Sequence, residues 1–345
     1  MGERKRSVEN LEMSKMLLTY ELDQFIASQE ITPVFDENCV PIVYLSDTCY
    51  LPILCVSIKS LIDSSSSKHN YDVVIIHRGI ELADQEIIKD LVQGKNNISI
   101  RFFDDKDICL KPSSLTDYSI PLSLYRVYCP MIMKGYERVI LLGADTIVNS
   151  DIFDLCKIEF ESNNVAAGVF RDFTETNNEL FRTVYLDTDV LILQFSKIRN
   201  LFSKGFNYSL RLPQQHCYDF ILDRLVFTDI LSSKIQILDD KWNFAPNEHT
   251  GETCLEAMSN SRIIHYTGMP KPWSAPMMFM GEVWWRKARG TVYYEELLRR
   301  LCQSPDNRST TRKFIDRILP RGSKLRNLVK RVISFFRRLT KKRGE

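Results

Sequence analysis

Val139 to Ile152, VILLGADTIVNSDI, is the stretch that decides the fold. Val139, Ile140, Leu141 and Leu142 form a short apolar run behind the charged pair Glu137 and Arg138, as in a fully buried strand. The run ends at Gly143, Ala144 and Asp145, so a carboxylate leaves the strand at its carboxyl end. Asn149, Ser150 and Asp151 then supply turn chemistry. In open α/β sheets ligands sit outside the carboxyl ends of the strands, which puts Asp145 where a ligand binds. A hard divalent cation suits this carboxylate and can clamp a diphosphate. The other reading open at this point is an Asp that only caps a turn.

Upstream, Ile42 to Leu45 reads as a strand, followed by Ser46-Asp47-Thr48 and a helix from about Tyr50 to Asp63. Strands over Tyr71–His77 and Ile98–Phe103 enclose a helix over Asp84–Leu91, with Gly94 as its C-cap. Downstream, Pro121–Met133 reads as a helix. Val165–Phe170, Val190–Phe195 and Ile235–Leu238 read as strands, and Cys217–Leu231, Gly281–Arg289 and Tyr293–Cys302 as helices. This alternation predicts an α/β fold with a mixed, mainly parallel sheet flanked by helices. Four segments are expected: an N-terminal appendage (1–38), an α/β domain (39–280), a small helical C-terminal region (281–323) and a basic amphipathic tail (324–345). In the appendage, Leu11, Met13, Met16, Leu17, Leu18 and Leu22 fit one face of a helix.

The chain has 345 residues, 44% of them hydrophobic and 26% charged, as in ordinary soluble proteins. Its nine cysteines are odd in number and form no C-x-x-C pair, which fits reduced thiols in the cytoplasm. The net charge of +2 conceals an asymmetry: residues 324–345 carry +8 and the other 323 residues −6. A nucleic-acid binder would spread its positive charge over the folded domain, so no nucleic-acid partner is expected. In the tail Leu325, Leu328, Val329, Val332, Ile333, Phe336 and Leu339 recur at helical spacing between Arg and Lys residues. Such a helix can lie on an anionic membrane surface, which would make a peripheral protein on the inner face of the plasma membrane; a terminal helix docked on the domain and an RNA-binding arm are the other readings open here.

The order of stretches resembles glycosyltransferase family 8 over roughly Pro41 to Trp273. The opening stretch is Val43 to Tyr50, VYLSDTCY, continuing through Leu54 to Leu61. The middle stretch is Ser123-Leu124-Tyr125-Arg126, and the most specific is His265 to Trp273, HYTGMPKPW. The resemblance implies a GT-A fold and retaining transfer of a hexose from a UDP-sugar donor to a glycan or glycolipid acceptor, such as lipopolysaccharide. It implies that Ser46, Asp47 and Tyr50 hold the nucleoside and that Arg126 reaches the donor sugar. Ala144, Asp145, Gly268 and Lys271 then face the donor diphosphate, with Asp145 and His265 as metal ligands. Gly268 lets backbone approach the phosphates, and Lys271 is a point charge for the leaving group. A His ligand favours Mn²⁺ over Mg²⁺.

The chain departs from the family at the sugar-reading positions. The family has D-x-D where this chain reads Gly143-Ala144-Asp145. It has N-A-G where this chain reads Asp187-Thr188-Asp189, and D-Q-D where it reads Cys217-Tyr218-Asp219. Asp187, Asp189 and Tyr218 therefore join Arg126 as catalytic candidates, and Asp187 or Asp189 can stand in for the carboxylate missing at Gly143. Two readings remain: an active transferase with an altered site, and a degenerate member that binds nucleotide or a partner enzyme without turnover.

Overall fold

Ile42 to Leu45 is buried on both faces because its side chains alternate between two cores. Ile42 and Tyr44 join one cluster, and Val43 and Leu45 the other. The computed structural model describes residues 17–21, 25–27, 30–110, 121–161, 163–174, 182–202, 207–211, 222–231, 233–248 and 259–303. Its first central strand, β1 (Cys39–Asp47), leads into α1 (Leu51–Ser64). There follow β2 (Asn70–Arg78), α2 (Leu82–Lys89), β3 (Ile98–Asp104) and α3 (Tyr125–Ile132). The decisive run forms β4 (Arg138–Leu142), and a short β5 (Thr146–Val148) follows it. Next come β6 (Ala166–Gly168), β7 (Val190–Gln194), α4 (Phe195–Phe202), α5 (Leu222–Leu231) and β8 (Ile235–Ile237). Then come β9 (Ile263–His265), α6 (Gly281–Ala288) and α7 (Tyr294–Gln303).

The main sheet has the order β8-β6-β7-β4-β1-β2-β3. Its strands are parallel except β7, which runs antiparallel to both β4 and β6. This is the mixed, mainly parallel sheet expected. β9 pairs antiparallel with β5 beyond the end of β4 and brings His265 opposite Thr146. Hydroxyls tie this corner to the core. Tyr44 Oη lies 3.1 Å from Ser57 Oγ, and Ser57 Oγ lies 3.1 Å from Thr146 Oγ1. Thr146 Oγ1 donates to the Gly143 carbonyl at 2.8 Å, which fixes the loop carrying Asp145. α6 and α7 share the first core through Trp284, Trp285, Ala288 and Leu297. Among the described residues, no helix is long and apolar enough to cross a membrane.

Two sequence expectations are corrected. Leu17–Glu21 is a strand, not part of a helix, because it pairs antiparallel with Asn207–Arg211. Leu-Leu-Thr-Tyr serves either pattern, and a distant partner decides the outcome. The strand expected over Val165–Phe170 is broken. Ala166–Gly168 stays in the main sheet, while Phe170–Thr174 leaves to pair with Arg182–Leu186. Gly168 marks the break: a Cβ there would lie 2.8 Å from Leu191 Cδ1 and 2.9 Å from Leu186 Cδ1. Tyr218, the tail and most of the N-terminal appendage lie outside the described residues.

Candidate active site

The carboxyl ends of β1 and β4, the start of β7 and the end of β9 converge on one corner. At β1, Ser46 is buried and donates to the Asp47 carbonyl at 3.0 Å. Asp47 Oδ1 accepts the Tyr50 N–H at 2.9 Å, which shapes the turn into α1. Tyr50 is exposed and meets the Trp273 ring edge-on at 6.3 Å. Leu45, Ser46, Asp47, Tyr50, Ser123 and Arg126 line a cleft of about 160 Å³. An exposed ring above a carboxylate and a hydroxyl suits a base and its ribose.

The centre of the corner is His265, which is fully buried. Its Nδ1 lies 2.9 Å from Asp187 Oδ2 and hydrogen-bonds Asn243 Oδ1 at 3.1 Å; both oxygens are acceptors, so Nδ1 carries the proton. Its Nε2 has no hydrogen-bond partner. It faces Asp145 Oδ1 and Asp189 Oδ2, each at 3.6 Å, too long for a hydrogen bond. One ligand atom from each of Asp145, Asp189 and His265 falls within 4.8 Å of the others. In an octahedral shell with bonds of about 2.1 Å, adjacent ligands lie about 3 Å apart and opposite ones about 4 Å. The trio therefore fits a divalent cation, which would bind the orphaned Nε2 in place of a proton. Burial disfavours the charged imidazole, but Asp187 and Asp145 outweigh it and push His265 up to about 9.

Asp187 sits behind the imidazole, on its Nδ1 side. It is fully buried and accepts from Arg171 Nε at 2.6 Å and Asn243 Nδ2 at 3.1 Å. Against the cost of burial, His265 and Arg171 hold its carboxyl well below the usual range. A carboxylate that fixes the tautomer of a ligating His is the usual second layer of a metal site. Asp187 is thus placed to orient His265 rather than to touch a substrate. Lys271 Nζ lies 2.6 Å from Asp145 Oδ2 and 5.7 Å from the Trp273 ring centroid. Burial opposes the Asp145 charge, yet Lys271 and His265 hold that carboxyl well below its ordinary value. Gly268 has φ +62° with no atom within 4 Å of where a Cβ would be, so its backbone is open to a ligand. Ala144 is buried beside Asp145.

Arg126 does not point freely into the cleft. Its guanidinium donates to Thr188 Oγ1 at 3.0 Å, Asp223 Oδ2 at 2.8 Å and Asp189 Oδ1 at 2.7 Å. Arg224 donates to Asp189 Oδ2 and stacks over the Tyr185 ring. Sequence reasoning missed Arg171, Asp223, Arg224 and Glu248. Arg171 joins Asp187, Asn243 and Glu248, and Asp223 is fully buried on α5. The signal was charge inside otherwise apolar stretches, Phe170-Arg171 and Leu222-Asp223-Arg224-Leu225.

The sequence profile described as glycosyl transferase family 8 matches residues 41–276. The chain belongs to this family. A Haemophilus influenzae protein with a provisional glycosyltransferase name is 26% identical over 248 residues, covering 67% of this chain and 72% of that one. The apo structure of the bifunctional glycosyltransferase WbbM superposes with a TM-score of 0.66 at 18% identity, over 80% of this chain and 54% of that chain. The family 8 chain thus spans about half of WbbM and shares its fold. The galactosyltransferase LgtC, solved with donor and acceptor sugar analogues, gives a TM-score of 0.49 at 16% identity, over 73% of this chain and 96% of that chain. The mixed, mainly parallel sheet flanked by helices is shared with WbbM, and the chain is a glycosyltransferase by family.

Proposed function

We propose that the protein transfers a hexose from a UDP-sugar, with retention, to a saccharide acceptor of lipopolysaccharide or another cell-surface glycan. The observation that supports this reading best is the buried, unpartnered His265 Nε2, which faces two carboxylates beside Lys271. Asp145, Asp189 and His265 would hold a divalent cation, which would supply charge neutralisation for the departing diphosphate. A nitrogen ligand favours Mn²⁺ over Mg²⁺. The remaining chemistry belongs to the chain. Asp47 and Tyr50 seat the nucleoside in the cleft. Gly268 admits the diphosphate to its backbone, and Lys271 turns from Asp145 to the leaving phosphate as negative charge develops. The bond from the anomeric carbon to the diphosphate oxygen breaks, and the acceptor oxygen bonds the same carbon from the same face. The acceptor proton passes to the leaving phosphate oxygen. The basic tail holds the enzyme at the inner face of a membrane, near a lipid-linked acceptor.

A second reading, nucleotide binding without turnover, is favoured by Gly143 and by the two arginines that already engage Asp189. Calorimetric titration of UDP with and without Mn²⁺, followed by a screen of UDP-hexoses for turnover, separates them. Mn²⁺-dependent UDP binding with sugar release supports the transferase. Binding without release of any sugar supports the second reading, and absence of UDP binding overturns both.

A further inference from the structure

We propose that Asp189 is the second carboxylate ligand of the metal centre, delivered across the sheet into the space that Gly143 leaves open. The inference rests on the transferase reading and names how its altered site still closes around a cation. β4 and β7 are antiparallel with Leu142 opposite Val190, so Gly143 and Asp189 are the next facing pair. The Gly143 N–H donates to the Asp189 carbonyl at 2.8 Å, which holds the two backbones in this register. A Cβ on Gly143 would lie 2.5 Å from Asp189 Oδ1 and 2.7 Å from its Cβ and Cγ. Gly143 does not have a left-handed φ, so its own backbone does not ask for glycine. Asp189 asks for it, because the Asp189 side chain fills the volume a side chain at 143 would take.

The displaced carboxylate still reaches the cation site. Asp189 Oδ2 and Asp145 Oδ1 stand at the same 3.6 Å from the orphaned His265 Nε2. Both oxygens of the Asp189 carboxylate also accept from arginines, Oδ1 from Arg126 and Oδ2, the oxygen nearest His265, from Arg224. A carboxylate has about four lone-pair sites, so these two donors leave room for a cation. They act as positioning residues, holding the Asp189 carboxylate against rotation. The resemblance puts an acid at 143 and a glycine at 189, and this chain has the two interchanged. One compensated exchange thus accounts for both departures. A neighbouring strand supplies the charge that the loop lost, and the ligand set becomes Asp145, Asp189 and His265.

The test is Mn²⁺ binding followed by electron paramagnetic resonance of the free ion, without sugar, in the full chain. The set is wild type, Asp145→Asn, Asp189→Asn, Gly143→Asp and the double variant Gly143→Asp/Asp189→Gly, with circular dichroism as the folding control. Wild type is expected to bind Mn²⁺. Asp189→Asn should weaken binding at least about 10–100-fold, the range seen when even an outer partner of a metal ligand is lost. The double variant should recover to within about threefold of wild type, and Gly143→Asp alone should not match it, because the two carboxylates then collide. If Asp189→Asn does not fold, the double variant decides alone: recovery supports the exchange, and a folded double variant without Mn²⁺ binding overturns it. If Asp189→Asn binds as wild type does while Asp145→Asn does not, Asp189 is not a ligand and the transferase reading stands. If wild type binds neither Mn²⁺ nor UDP, the transferase reading itself falls.

Discussion

Arg171 satisfies three residues at once. It donates to Asp187 at 2.6 Å, to the carbonyl and side chain of Asn243 at 2.6 and 2.9 Å, and to Glu248. Its side chain is 1% exposed. Arg171→Met should therefore cost about 3–5 kcal/mol in urea unfolding, because Asp187 is left charged and buried without its guanidinium. A cost below about 1 kcal/mol would show that His265 and Asn243 suffice. Gly143→Ala should cost about 1–3 kcal/mol, since its methyl group would meet Asp189 at 2.5 Å. The same substitution made in an Asp189→Gly background should cost almost nothing, and that difference is the coupling between the two positions. At this scale the sequence exposes only part of the site. The Asp145 turn and the HYTGMPKPW stretch stand out because each packs several chemically marked residues into a few positions. Arg171 and Arg224 stand out far less, because their one signal is a charge beside apolar neighbours, and a buried arginine and a solvated one look alike in one dimension.

Among the elements, α6 decides how firmly the donor loop is held. Trp284 is fully buried and packs between Trp273, a tilted ring at 5.3 Å, and Trp285, edge-on at 5.1 Å. Trp285 Nε1 donates to the Pro272 carbonyl at 2.9 Å. Trp284→Ala should cost about 3–5 kcal/mol. It should also weaken UDP binding in calorimetry, because Trp273 loses its backing; unchanged UDP affinity would separate the loop from the helix. α6 is also tied to α1 by Lys287 Nζ, 3.0 Å from Asp63 Oδ2. Burial raises the Asp63 carboxyl, but hydrogen bonds from Lys59 and Lys287 outweigh this and hold it below its ordinary value. A depressed carboxyl contributes stability above its unfolded value of about 4, and the contribution is lost as pH falls through the folded value. Both partners are partly solvated, so Lys287→Ala should cost only about 0.5 kcal/mol at pH 7 and nothing near pH 2. A penalty that persists at low pH would mean that packing, not charge, is being measured. α6 and α7 were readable from their spacing. The strand at Leu17–Glu21 was not, since its partner Asn207–Arg211 is remote in sequence.

Over the whole molecule, charge is divided between a net-negative body and a strongly positive tail. The 345-residue chain should bind vesicles containing phosphatidylserine, and raising salt from about 0.1 to 0.5 M should release most of it. Protein ending at residue 323 should bind far less; equal binding by the two would remove the tail from the membrane assignment. The mainly parallel character of the sheet could be anticipated from the alternation of strands and helices, but its strand order and the direction of β7 could not. An apolar run such as Val190 to Leu193 carries no sign of which way it points.

That direction has a consequence for how proteins of this kind are recognised. Because β7 enters the sheet against its neighbours, the residue just before it lands beside the residue just after β4. One point in space thus has two addresses in the chain, and a side chain can migrate between them while the site's shape stays the same. A search that demands two acids within three consecutive letters would discard this chain as dead. A search keyed to the shared location would keep it, together with any relative whose acidic residue has crossed to the opposing strand.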